Sequence, residues 1–236
     1  MKTLLEEQGY LIIDDVFTEA ETENMIALID AAHTSGSSFR KTTDLFAIRR
    51  CLKEIPALLP ALLTGRFREV LDSYGTPGSF ITKSIYFDKP EQSNWFVAYH
   101  QDLSISVDKK LEIPGFGPWT VKQDQYGVQP PLPVLEQTLT LRIHLDDTDA
   151  SNGALKVIPG SHSKGLYRSG SMDMEREKEE VCSVRKGGVM LMKPLLLHAS
   201  ARSTGAKRRR VMHLEYSSVA LPAGLNWSEK IIIPAY

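Results

Sequence analysis

Two cysteines, Cys51 and Cys182, are all that this 236-residue chain contains. They cannot build a disulfide framework, and they fit a reducing, cytoplasmic setting as small apolar residues. Long hydrophobic runs are missing as well. Nothing approaches the roughly 18 apolar residues of a membrane helix, and the longest candidate, 189–197, is interrupted by Lys193 and Pro194. At the N-terminus Glu6 and Glu7 interrupt MKTLLEEQGYLII, so no signal-peptide core is expected. A basic excess is also absent. Lys and Arg number 28 against 29 Asp and Glu, a net charge of -1, which argues against a general nucleic-acid binder. What remains is ordinary globular composition, 42% apolar and 24% charged. That excludes disorder over most of the chain and predicts one domain over 1–236 with a sizeable core.

The first third, about 1–78, reads as helical. Thr18 with Glu21 three residues on forms a capping box before a stripe of Met25, Leu28 and Ile29. A second helical pattern covers 58–74 and stops at Gly75, Pro77 and Gly78. From residue 79 to about 220 the character changes to short strands rich in Ile, Phe, Tyr and Val, separated by turn residues. Helices first and many strands later predict an α+β chain with a β barrel or sandwich core. The segment 111–133 is dense in Gly and Pro. Its length predicts a functional loop, a mobile lid without regular structure.

Six histidines invite a search for metal or acid–base chemistry. In His100-Gln101-Asp102 the first and third residues would share one strand face, and a third ligand would complete the two-histidine, one-carboxylate set that holds non-haem Fe(II). His144-Leu145-Asp146 has the same spacing, so spacing alone does not choose. Asp146 begins the turn-rich DDTDASNG, where carboxylates bond local amides, whereas His100 follows the strand-like WFVAY. His198, closing the apolar run LLLHAS, is the C-terminal candidate, set against the reading of a satisfied core histidine. In KRRRVMHLEY, Arg209, Val211, His213 and Glu215 fall on one strand face and Arg208 and Arg210 on the other. A buried Arg209 needs an anion, which a dicarboxylic acid would supply. Lys207, Arg208 and Arg210 read as a solvated edge.

Taken together, His100-Gln101-Asp102, the stretch HLDDTDASNGALKVIPGSHSKG (144–165), His198-Ala199-Ser200 and Arg209 resemble the phytanoyl-CoA dioxygenase family over roughly residues 5–220. The resemblance implies a double-stranded β-helix, or jelly roll, with the N-terminal helices packed outside. It implies Fe(II), 2-oxoglutarate and O2 as cofactor and cosubstrates, and His100, Asp102 and His198 as iron ligands. Arg209 and Ser200 match the positions that hold the distal carboxylate of 2-oxoglutarate, and Ile85 falls where the family lines that pocket. Arg142 stands where the family often has Trp, which points to an anionic group nearby. Asp146 and Asp147 then become turn builders, and His162 structural.

The expected reaction is oxidative decarboxylation of 2-oxoglutarate to succinate and CO2, coupled to hydroxylation of a C–H bond in a small molecule. Asp102 favours hydroxylation or desaturation over halogenation, because halogenating relatives carry a small residue there. Trp95, Tyr99, Trp119 and the 111–133 segment are candidate substrate walls. Two rivals stand beside this reading: a cupin-type metalloenzyme without 2-oxoglutarate, which would not need Arg209, and a non-catalytic binding protein of the same fold. No nucleic acid or membrane partner is expected.

Overall fold

The structure is a computed structural model that describes residues 2–32, 36–42, 46–91, 93, 95–122, 125–167 and 177–234. Its larger sheet runs in the order Tyr10–Ile13, Val189–Met192, Thr138–His144, Arg209–Ser217, Phe80–Lys89, Phe46–Arg49, Phe39–Lys41, with Ile231–Ile232 also paired to Phe80–Lys89. A smaller sheet orders Glu180–Cys182, Leu155–Val157, His198–Ser200 and Val97–His100. Ladder pairs in both sheets are antiparallel, and most join strands distant in sequence. This is the predicted jelly roll.

Period two gives the larger sheet two different faces. Leu139, Leu141 and Ile143, with Met212, Leu214 and Tyr216, pack in one apolar cluster with Met25, Ile29, Leu58 and Phe67 of the helices. The alternate residues Arg142, Arg209, His213 and Glu215 turn the other way and line a cavity shared with His100, His198 and Ser200 of the smaller sheet. The helices therefore cover one face of the sheet, and the polar face looks across at the second sheet.

The predicted capping box is present. Thr18 Oγ1 accepts from Glu21 N at 3.3 Å, and Glu21 returns a carboxylate to Thr18 N at 2.7 Å, starting the helix Glu19–Asp30. His33, at the end of the predicted pattern, lies outside the described residues. The second predicted helix is two helices, Leu58–Leu62 and Gly65–Tyr74. Thr64 stands extended between them and caps the second through Phe67 N, which ends the first. The N-terminal third is also not purely helical, since Tyr10–Ile13, Phe39–Lys41 and Phe46–Arg49 join the larger sheet. Strands of three or four residues are too short to carry a periodic signal.

The expectation that 111–133 lacks regular structure is overturned. Trp119–Lys122 and Gln125–Val128 pair as a hairpin, and the second strand pairs with Ile105–Val107. Gln123 and Asp124 lie outside the described residues. Trp119, Tyr126 and Phe116 pack with Val107, Val128 and Trp227 in a second apolar cluster. Apart from Gly127, which is paired within the second strand, Gly and Pro bracket the hairpin rather than interrupt it, which is why composition misled. No helix among the described residues is long and apolar enough to cross a membrane.

Candidate metal centre

His100 and His198 are brought together by the smaller sheet, where they are Cα partners across the ladder. Their ring centroids lie 4.2 Å apart. Asp102 sits just beyond the end of the His100 strand. One of its oxygens lies 3.8 Å from His100 Nε2 and the other 3.8 Å from His198 Nε2. One ligand atom from each of the three residues falls within 4.8 Å of the others. Each imidazole is oriented by a main-chain acceptor: His100 Nδ1 to Ala98 O and His198 Nδ1 to Leu196 O, both 2.9 Å. A carbonyl only accepts, so each Nδ1 carries the proton and each Nε2 presents a lone pair to the centre.

The residue between the ligands fixes this geometry. Gln101 is buried and turned away from the centre. Its Nε2 donates to Gly165 O and Leu195 O at 2.8 and 2.7 Å, and its Oε1 accepts from Tyr167 N at 2.9 Å. Asp102 N donates to Pro194 O at 2.8 Å. The chain is thus pinned at the residue before the carboxylate and at the carboxylate residue's own amide.

Charge states suit cation binding. Burial alone would raise the Asp102 carboxyl, but His198, His213, Lys83 and His100 outweigh it and hold it down at about 2. Burial lowers His198 to about 4 against the opposing pull of Asp102. Asp102 Oδ2 is buried with no hydrogen-bond partner. An anionic oxygen left so is costly unless a cation takes it up. The donor set, two imidazoles and one carboxylate on one side, fits Fe(II) with positions left open.

A cavity of about 340 Å³ opens on this triad. Arg209, only 2% exposed, faces it and donates through Nη1 to Gly153 O, while its Nε has no partner. Ser200 Oγ donates to the same carbonyl at 3.1 Å. Arg142 is likewise buried, with Nη1 3.3 Å from His213 Nδ1 and its Nε without a partner. Burial, then the neighbouring Arg142, lowers Arg209 to about 9; burial, partly offset by Asp102, lowers Arg142 to about 10. Among the described residues neither guanidinium forms a salt bridge. Ile85 lines the same cavity, so all seven predicted site residues surround one space.

The second His-x-Asp pair is elsewhere employed. His144 is buried against Thr148 Oγ1 at 2.8 Å. Asp146 is not the local turn builder expected; it accepts from Arg210 N, Nε and Nη2 at 2.9, 2.8 and 2.6 Å. Asp149 takes the local role, accepting from Ser151 N at 2.7 Å. Arg208 is not merely solvated either, since it chelates Asp88. His162 is tied to Glu6 O at 3.0 Å, a structural contact.

Of the predicted walls, Trp95 lines the cavity, stacked on Phe87 at 6.3 Å. Tyr99 instead donates to Glu179 at 2.6 Å, and Trp119 packs in the second apolar cluster. Sequence reasoning missed Lys83, Phe87 and Lys122 as cavity residues. Alternation from Ile85 along Phe80–Lys89 reaches Lys83 and Phe87, so that signal was available.

A search of curated protein sequences finds no match to this chain. Solved structures give the fold. EctD from S. alaskensis, with bound Fe, superposes with a TM-score of 0.70 at 18% identity, over 92% of this chain and 75% of that one. HygX from Streptomyces hygroscopicus, solved with nickel, 2-oxoglutarate and hygromycin B, gives 0.64 at 14% identity over 91% and 85%. EvdO2 from Micromonospora carbonacea var. aurantiaca, complexed with 2-oxoglutarate, gives 0.65 at 15% identity over 97% and 95%. The family model for phytanoyl-CoA dioxygenase matches residues 5–211. The chain belongs to the phytanoyl-CoA dioxygenase family of Fe(II)- and 2-oxoglutarate-dependent oxygenases.

Proposed function

We propose that the protein hydroxylates a C–H bond of a small molecule in a reducing, cytoplasmic setting, as one catalytic domain over 1–236. His100, Asp102 and His198 would hold the ferrous ion. Bound there, the ion and 2-oxoglutarate supply an oxidation in which O2 gives one oxygen atom to succinate and one to the substrate, with release of CO2. The chain's own residues bind, orient and exclude water. Arg209 and Ser200 grip the distal carboxylate by exchanging or sharing their bonds to Gly153 O, Ile85 forms the apolar wall, and Arg142 adds a second cation to the cosubstrate pocket.

The observation that carries this reading is the pairing of an open triad with buried arginines in one cavity. A cupin-type metalloenzyme would have no use for an interior guanidinium lacking a carboxylate. A binding protein would have no use for the unmatched Asp102 oxygen. Buried free thiols at Cys51 and Cys182 support the reducing compartment. The deciding experiment is 2-oxoglutarate consumption with succinate formation under Fe(II) and air, wild type against Asp102→Ala. Turnover of 2-oxoglutarate without the prime substrate is expected in the wild type only. Its absence from both, in protein that binds Fe(II), would favour the cupin-type reading.

A further inference from the structure

The metal cavity does not end at the metal. A second cavity of about 330 Å³ adjoins it. The two share Lys83, Ile85, Phe87, Trp95 and Lys122 as common walls. The outer chamber lies between the hairpin Trp119–Lys122/Gln125–Val128, which contributes Thr120, Lys122 and Tyr126, and the short strands Phe39–Lys41 and Phe46–Arg49, which contribute Arg40 and Arg49. A molecule reaching the triad through this chamber passes Phe87 and Trp95 at the waist.

The charges along this path are one-sided. Its described walls carry six cationic side chains, Arg40, Arg49, Lys83, Lys122, Arg142 and Arg209, and two carboxylates, Asp102 and Glu215. Glu215 is matched by Lys83. In the outer chamber there is no carboxylate among the described residues. A divalent ion and the dianion 2-oxoglutarate cancel each other, so loading the site leaves the surplus of positive charge unchanged. Arg40 and Arg49 are close enough that Arg40 adds to burial in lowering Arg49. Clefts lined by one sign of charge focus the field and concentrate the opposite ion.

We propose that the prime substrate is an organic anion, a carboxylate or phosphate ester with an aromatic or alkyl body. Its charged head sits in the outer chamber at Arg40 and Lys122. Its body lies against Phe87, Trp95 and Ile85, which brings a C–H bond to the triad. This rests on the oxygenase reading and adds a substrate class to it. Lys122 touches both cavities, so it can follow the head whichever end of the chamber it occupies.

The test uses nickel-loaded protein with 2-oxoglutarate bound, titrated by calorimetry at low salt with probes of one skeleton: phenylbutanoate, phenylbutanamide, phenylbutylamine and phenylpropyl phosphate. The acid or the phosphate should bind about tenfold or more tightly than the amide, and the amine least, with the preference shrinking as salt rises. Which of the two anions is tighter identifies the head. Arg40→Gln and Lys122→Gln should each weaken the anion about threefold or more, and Arg40→Gln, which lines the outer chamber alone, should move 2-oxoglutarate affinity less than about twofold. Binding of both anions no tighter than the amide overturns the inference. So does failure of both anions to bind protein that takes up 2-oxoglutarate normally. Failure of the wild type to bind 2-oxoglutarate at all would instead overturn the oxygenase reading, and this inference with it.

Discussion

His100 and His198 are partners in one ladder, yet about two fifths of the chain lies between them. Two imidazoles whose Nε2 atoms both approach Asp102 at 3.8 Å form a site only if that ladder keeps its register. A shift of one residue would turn one ring to the opposite face. We therefore expect His100→Ala, Asp102→Ala and His198→Ala each to abolish Fe(II) binding while the far-ultraviolet circular dichroism stays native. His144→Ala and Asp146→Ala should retain iron. Calorimetry with Mn(II) as a redox-inert stand-in checks this, and loss of metal in the second pair but not the first would reverse the assignment.

Gln101 gives a second prediction. Its three hydrogen bonds fasten the turn that carries Asp102. Gln101→Leu leaves buried main-chain groups unsatisfied, at about 1–3 kcal/mol for each group stranded. Metal affinity should fall together with thermal stability, although Gln101 never faces the metal. Wild-type metal affinity in a folded Gln101→Leu protein would show that the turn holds without it.

The three consecutive arginines separate by role. Arg209→Ala should raise the apparent Michaelis constant for 2-oxoglutarate at least about tenfold, because truncating one member of a desolvated charge pair costs about 2–5 kcal/mol. Arg208→Ala and Arg210→Ala should leave that constant nearly unchanged. They lose bidentate pairs with Asp88 and Asp146 instead, which in their part-exposed settings contribute about 1 kcal/mol or less. Steady-state kinetics and urea melts on the three variants distinguish the two effects.

Much of this was legible before the structure. The alternation through Arg209, Val211, His213 and Glu215 placed the guanidinium on the inner face, and the capping box at Thr18 and Glu21 located the first long helix. What stayed hidden depends on long-range pairing. Nothing local tells that Asp146 will meet Arg210 rather than its own turn, because that contact needs Thr138–His144 and Arg209–Ser217 to be neighbours. The outer chamber is illegible for the same reason. Its walls come from several separate stretches, and neither Arg40 nor Lys122 belongs to a local motif.

Stability of the metal-free protein should depend on pH through its buried histidines. Burial, with Arg142 and Arg209 adding to it, holds His144 well below its ordinary value, and His198 lies at about 4. In the unfolded chain both take a proton near 6.5. The unfolded state therefore binds more protons as pH falls below about 6.5, and stability drops with it, by at most about 1.4 kcal/mol per pH unit for each group. It should be level above about pH 7. His144→Gln should make the acid side shallower. Urea denaturation from about pH 7.5 to about 5, which spans the ordinary histidine value, measures the slope. Stability rising toward acid would contradict the burial of these rings.

The last prediction concerns the segment first read as a lid. Gln125–Val128 is hydrogen-bonded on both sides, to Trp119–Lys122 and to Ile105–Val107. Tyr126 and Val128 also belong to an apolar cluster with Trp227. Amides paired within a sheet and covered by packed side chains exchange only through local opening. We expect amides of 126–128 and 105–107 to be protected in the free protein, with little change when 2-oxoglutarate and a non-reactive metal are added. A substrate anion is different, since Thr120 and Lys122 face the outer chamber. Its binding should slow exchange further in 119–122. Hydrogen exchange read by mass spectrometry resolves these segments. Fast exchange across 126–128 until 2-oxoglutarate binds would restore the lid and remove the fixed wall on which the outer chamber depends.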